Sequence, residues 1–148
     1  MSKADDVAAH ILARKGGMSG MKLQKLLYYS QAWHMVWSDG APLFPDCIEA
    51  WANGPVVRSI YAKHRLEVGV SEWQWGNPTN LTDGEREHVD IVLSFYGDRP
   101  AHELSELTHR EDPWLIARQG LPPGTRSSNE ITATSMYEYY DGLTGTAR

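Results

Sequence analysis

Residues 21–37 read M-K-L-Q-K-L-L-Y-Y-S-Q-A-W-H-M-V-W, and this run decides the architecture. Ser19 is placed to cap a helix over 21–37, and Gly40 is placed to end it. Its apolar residues do not keep to one stripe. Leu23, Leu26, Leu27, Trp33 and Trp37 mark one side, while Tyr29, Ala32 and Val36 mark another. A helix apolar over so wide an arc is surrounded by other elements, so it is expected at the centre of the fold.

Upstream, Ser2 and Asp5 have the spacing of a capping pair, and Val7, Ala8, Ile11 and Leu12 recur at helical period until Gly16-Gly17. Downstream, Pro42 and Pro45 force an extended link through Leu43-Phe44. Residues 47–52 read as a short strand, and the W-Q-W alternation at 73–75 offers it a partner. Asn53-Gly54 marks a turn, and Pro55 suits the first position of a helix carrying Val57, Ile60, Tyr61 and His64. Thr82 and Glu85 form a capping box for a helix with Val89, Val92, Phe95 and Tyr96 inward, ended by Gly97.

A short helix follows with Leu104 and Leu107, and Asp112-Pro113-Trp114 reads as cap, first position and buried anchor of another, closed by Gly120. Residues 119–128, rich in Pro, Gly and Ser, are the longest loop. A last helix over 134–140 presents Met136, Tyr137 and Tyr140, and the final G-T-A-R is expected to fray. Neither a repeat nor a linker divides the chain. The expectation is a mainly α, compact multi-helix domain spanning 1–148, its core at about 5–140, with a small two-stranded extended element.

At 148 residues such a domain buries roughly 68–70% of its unfolded surface and needs no staples. Six Trp and seven Tyr are many for this length, and both residue types serve cores and interfaces alike. Charge is split. Residues 1–65 hold eight Lys/Arg against five Asp/Glu, while residues 66–148 hold six against fourteen. That gives +3 and −8, so the second part either is a solvated acidic surface or draws a basic partner. The lone Cys47 excludes an internal disulfide, which fits a reducing cytoplasm. Lys3, Asp5 and Asp6 break any leader peptide, and no run approaches the roughly 18 apolar residues of a membrane span.

Chemistry-bearing constellations are sparse. His34, His64, His88, His102 and His109 are scattered, and with one Cys they do not make a zinc site. Cys47 with His109 and Asp112 would be the only nucleophilic set, and no signature surrounds it. Acidic residues at 103, 106, 111 and 112 match an exposed helix face as well as they match acid–base catalysis. Gly16, Gly17 and Gly20 lack the spacing of a phosphate loop. Lys22, Lys25, Arg58, Lys63 and Arg65 suggest a short basic strip, too small in an acidic chain to favour nucleic acid. Strand alternation would turn Trp73 and Trp75 the same way, as either a core-packed face or a partner anchor.

Five blocks occur in order: L-Q-K-L-L-Y-Y from Leu23, P-L-F from Pro42, I-E-A-W-A-N-G-P-V from Ile48, L-T-H-R-E-D-P-W from Leu107, and I-x-x-x-x-M-x-x-Y-Y from Ile131 to Tyr140. This series resembles the Panacea domain, the SocA-like antitoxin family. The resemblance implies a bacterial or phage antitoxin that neutralises a cognate toxin, encoded by the adjacent gene, through direct contact. One branch of the family delivers its toxin to a protease. The extra DNA-binding segment of many relatives is not expected here, and neither enzymatic activity nor a cofactor is implied. The alternatives are a phage-encoded module acting on a host protein and, behind it, a small hydrolase. Within the matching blocks Lys25, Tyr29, Trp51, Gly54, Pro55, His109, Asp112 and Trp114 read mainly as scaffold. Candidate partner-contact residues are Trp73, Trp75, Lys25, Arg58, Tyr61, His109 and Glu111.

Overall fold

A computed structural model describes residues 3–145, so Ser2 and the closing T-A-R lie outside the described residues. Seven helices run in the order α1 (Ala4–Lys15), α2 (Gly20–Trp37), α3 (Arg58–His64), α4 (Asp83–Tyr96), α5 (Ala101–Thr108), α6 (Asp112–Arg118) and α7 (Ala133–Gly145) among these residues. Strands β1 (Ile48–Trp51) and β2 (Gly54–Val57) precede α3, and β3 (Glu130–Ile131) precedes α7. The fold is mainly α, as expected.

Helix α2 is the centre. Ser19 Oγ accepts the Lys22 amide at its start, and thirteen of its eighteen residues are buried because α1, α3, α4, α5, α7 and β2 all pack on it. Its buried amides hold the neighbouring extended chain. Gln31 Oε1 accepts the Leu43 and Phe44 amides, and its Nε2 donates to the Phe44 carbonyl. Gln24 binds Val57 the same way, accepting from its amide and donating to its carbonyl. Two glutamines seven residues apart lie on one helix face. Each replaces strand partners that the segment beside it lacks.

The sheet differs from expectation in two respects. β1 pairs with β2 on one side and with β3 on the other, all antiparallel, so the element has three strands and residues 73–75 take no part. Pro55 stands inside β2, and helix α3 begins only at Arg58. The register explains why proline is tolerated there. Pro55 lies opposite Ala50, whose amide points away to the Asn129 carbonyl, so no ladder bond needs the missing N–H. The Pro55 carbonyl points outward from this edge strand, into the body of α2.

Helix α1 is capped one residue later than the spacing of Ser2 and Asp5 suggests: the Lys3 amide donates to Asp6, at 3.2 Å. Burial alone would raise the Asp6 carboxyl, but donors from the Asn77 and Lys3 amides and the Asn80 side chain hold it below the usual range. Asp5 instead accepts from Lys63 and from the Trp73 indole, at 2.8 and 2.9 Å. Gly76 seals this contact, since a Cβ there would sit 2.1 Å from the Asp5 carbonyl oxygen. The Thr82–Glu85 capping box forms as expected, with reciprocal bonds of 3.1 and 2.8 Å. Phe95, expected inward on α4, is 69% exposed, while Val89 and Val92 carry the packing. Glu111, not Asp112, precedes the first turn of α6, with Pro113 inside that turn.

Candidate functional site

Between α2, α3, the β1–β2 hairpin and the 119–129 loop lies a cleft of about 840 Å³. Lys25 rises from α2 into its floor and is 1% exposed. The ammonium donates to the Pro55 carbonyl at 3.1 Å, and among the described residues it pairs with no carboxylate. Burial lowers its pKa to about 7. Gly54 makes the position possible. A Cβ at Gly54, whose φ is +119°, would lie 2.6 Å from Lys25 Cε and 3.0 Å from Thr108 Oγ1. The K of L-Q-K-L-L-Y-Y, the G-P of A-N-G-P-V and the T of L-T-H-R therefore meet at one point.

Aromatic and cationic groups form the cleft's walls. Trp51 and Tyr61 meet edge to face at 4.7 Å, and Glu49 fixes the indole through a 2.8 Å bond from Trp51 Nε1. Arg58 reaches the same carboxylate at 3.7 Å. Arg65 at the end of α3 and Arg126 on the loop also line the cleft, both exposed and neither in an ion pair among the described residues. His64 contributes no charge. Gln24 Oε1 is committed to the Val57 amide, so Nε2 faces His64 Nε2 as a donor at 3.0 Å and leaves that nitrogen an acceptor. Burial pushes the imidazole pKa down, and the nearby Lys25 pushes it further.

Of the seven candidate contact residues, the fold brings Lys25, Arg58 and Tyr61 together here. His109 lies behind the hairpin, stacked on Trp114 at 4.2 Å, with its pKa lowered by burial and then by Lys25. Glu111 is interior: it accepts from Tyr29 and Tyr140 hydroxyls at 2.6 and 2.9 Å, and burial outweighs those bonds to raise its pKa. Trp73 and Trp75 touch at 5.0 Å beside a smaller cleft of about 270 Å³. They do not share one exposure, since Trp73 is 5% and Trp75 47% accessible.

The basic strip does not form as a strip. Lys25 is inside, and Lys63 is neutralised by Asp5 at 2.8 Å. Cys47 is exposed beside Glu130, whose charge raises the thiol pKa, the opposite of thiolate activation. Trp51 and Asn53, read from the sequence as scaffold and turn, also line the cleft, and Arg126, which no pattern singles out, joins them from a loop far along the chain. Among the described residues no cluster of three or more His, Cys, Asp or Glu is set to hold a metal, and no helix is long and apolar enough to cross a membrane.

The family model described as "Antitoxin SocA-like, Panacea domain" matches residues 23–115. The chain matches no curated protein and no solved structure. The matched span contains Lys25, Gly54, Pro55 and Thr108, the residues that build the cleft floor, and four of the five sequence blocks. The chain belongs to the SocA-like antitoxin family of Panacea domains.

Proposed function

We propose that this protein neutralises a toxin, encoded by a neighbouring gene, by binding it directly. Family membership across residues 23–115 is the observation that carries this reading. The contact face runs along α3 and the segment after it. Arg58 and Tyr61 stand at one end and Trp75 at the other, with Leu66 83% and Val68 100% exposed between them in sequence. Apolar side chains so fully offered to solvent are what a partner covers. Charge along this face is balanced: Arg58 is paired with Glu49, Lys63 with Asp5, and Arg65 stands near exposed Glu67 and Glu72 in sequence. Apolar contact rather than net charge therefore carries the recognition, and the face does not select a basic or an acidic toxin.

The test is co-expression with the neighbouring gene product. Growth arrest by that product, rescue by this protein and co-purification of the two are the expected results. A non-toxic neighbour together with no co-purification would overturn the reading and favour a phage-encoded module acting on a host protein.

A further inference from the structure

We propose that the cleft over Lys25 binds a nucleoside phosphate, with phosphoryl oxygens held by Lys25, Arg65 and Arg126 and the base against Trp51 and Tyr61. The proposal goes beyond toxin neutralisation and does not rest on it.

The first argument is charge. An ammonium offers three N–H donors, and Lys25 spends one on the Pro55 carbonyl. A buried cation without a counter-ion is unfavourable, and a methionine would fill the same channel without that cost. Lys63, partly buried, is paired with Asp5, and the buried Arg118 spends its guanidinium on the Ala50 and Pro122 carbonyls and the Trp114 ring, whereas Lys25 has one carbonyl and an open cleft. At the cleft, the Glu49 carboxylate is engaged by Arg58 and the Trp51 indole, which leaves Lys25, Arg65 and Arg126 facing one space with no carboxylate of their own. Two guanidiniums without ion-pair partners among the described residues and a lysine that an anion would hold protonated gather there, in a chain whose net charge is −5. A multiply charged anion completes the set, and guanidinium forks match phosphoryl oxygens.

The second argument is shape. About 840 Å³ lies within the range of small-ligand clefts and accommodates a mononucleotide. Glu49 and the edge-to-face contact hold Trp51 and Tyr61 in place, so the aromatic wall is pre-formed for a flat ring. Asn53, Ser127 and Ser128 add neutral donors and acceptors at the rim, suited to ribose hydroxyls. Cation, ring wall and hydroxyl partners occur in one cleft, and only a ligand with all three parts uses them together.

Binding should be linked to protonation. Lys25 titrates near neutrality when the cleft is empty, and an anion beside it favours the charged form. The other titratable groups facing it are His64 on α3 and His109 after α5, both held neutral by burial, and Glu49, Arg58, Arg65 and Arg126 around the cleft. Affinity therefore falls as pH rises above 7, and protons are taken up on binding.

The experiment is calorimetric titration of the full chain with AMP, ATP, adenosine and inorganic phosphate, with Trp fluorescence in parallel. AMP or ATP should bind about tenfold or more tighter than adenosine or phosphate alone, since the split ligands lose one half of the contacts. At pH 8, buffers of different ionisation enthalpy should report proton uptake. Arg126→Ala, on an exposed loop, should weaken nucleotide binding about tenfold without changing the melting temperature. Lys25→Met should abolish binding and the proton uptake. If Lys25→Met does not fold, Arg126→Ala carries the test. No binding of any nucleotide at millimolar concentration, phosphate binding as tightly as AMP, or unchanged affinity in Arg126→Ala would each overturn the proposal.

Discussion

Lys25 and Glu111 are both buried ionisable groups beside α2, and the chain treats them differently. Glu111 is enclosed: Tyr29 and Tyr140 donate to it, Tyr28 bonds Tyr140 at 2.9 Å, and Tyr96 stacks on Tyr29 at 4.1 Å. Lys25 has one backbone carbonyl and a cleft. A carboxylate ringed by hydroxyls ties α2, α6 and α7 together and has nothing left to offer. An ammonium with donors to spare at the floor of an opening does. The tryptophan pair repeats the contrast on a smaller scale, with Trp73 closed on Asp5 and Trp75 facing solvent.

That contrast between closed and open groups is breakable. Trp73→Ala should cost about 3–5 kcal/mol of stability in denaturant melts, the usual penalty for emptying a buried indole. A loss below 1 kcal/mol would mean that the ring is not closed in. Lys25→Met should do the reverse and stabilise the protein by about 1–4 kcal/mol at pH 7, as replacing buried charge with apolar volume often does.

The pH profiles sharpen the comparison. Lys25 has a folded pKa of about 7 against 10.5 unfolded, so the unfolded chain holds the extra proton between those values and stability climbs as pH rises through that window. Glu111 has a folded pKa above 4.5, so the folded chain holds the extra proton and stability is lost as pH rises through the folded pKa. Lys25→Met should flatten the alkaline climb and Glu111→Gln the acid-side fall. Equal slopes in the variants and the parent would break the assignment.

Tyr29→Phe comes next, with a loss of about 1.5–3 kcal/mol at neutral pH, because it removes a donor from a buried carboxylate. The loss should shrink in acid, where Glu111 is protonated. Trp75→Ala should be smallest in stability, within about 0.5 kcal/mol, while weakening capture of the toxin. A large drop in melting temperature would place that ring with the closed group.

Much of the architecture was legible. The breadth of the apolar arc on 21–37 identified the central helix, and Ser19 and the Thr82–Glu85 box are caps whose geometry is purely local. What failed depended on distant partners. Pro55 fits a helix start by itself, and only the direction of the Ala50 amide allows it in an edge strand. β3 has two residues, too few to show any period. Lys25 looked like a surface cation because its burial is set by a glycine 29 positions away. For the cleft, Arg58, Tyr61 and Arg65 lie near one another in sequence, whereas Lys25 comes from α2 and Arg126 arrives through a loop with no pattern. Phe95 kept the helical period of α4 and still faces solvent.

The tie between Asp5 and Trp73 and the one between Tyr140 and Glu111 both reach beyond residues 23–115. An expression fragment trimmed to that span would lose an acceptor at one end and a donor at the other. It would leave an indole N–H and a carboxylate stranded, and α2 stripped on two sides. Such a fragment should be recovered as aggregate, which makes the flanking helices part of the smallest unit worth crystallising.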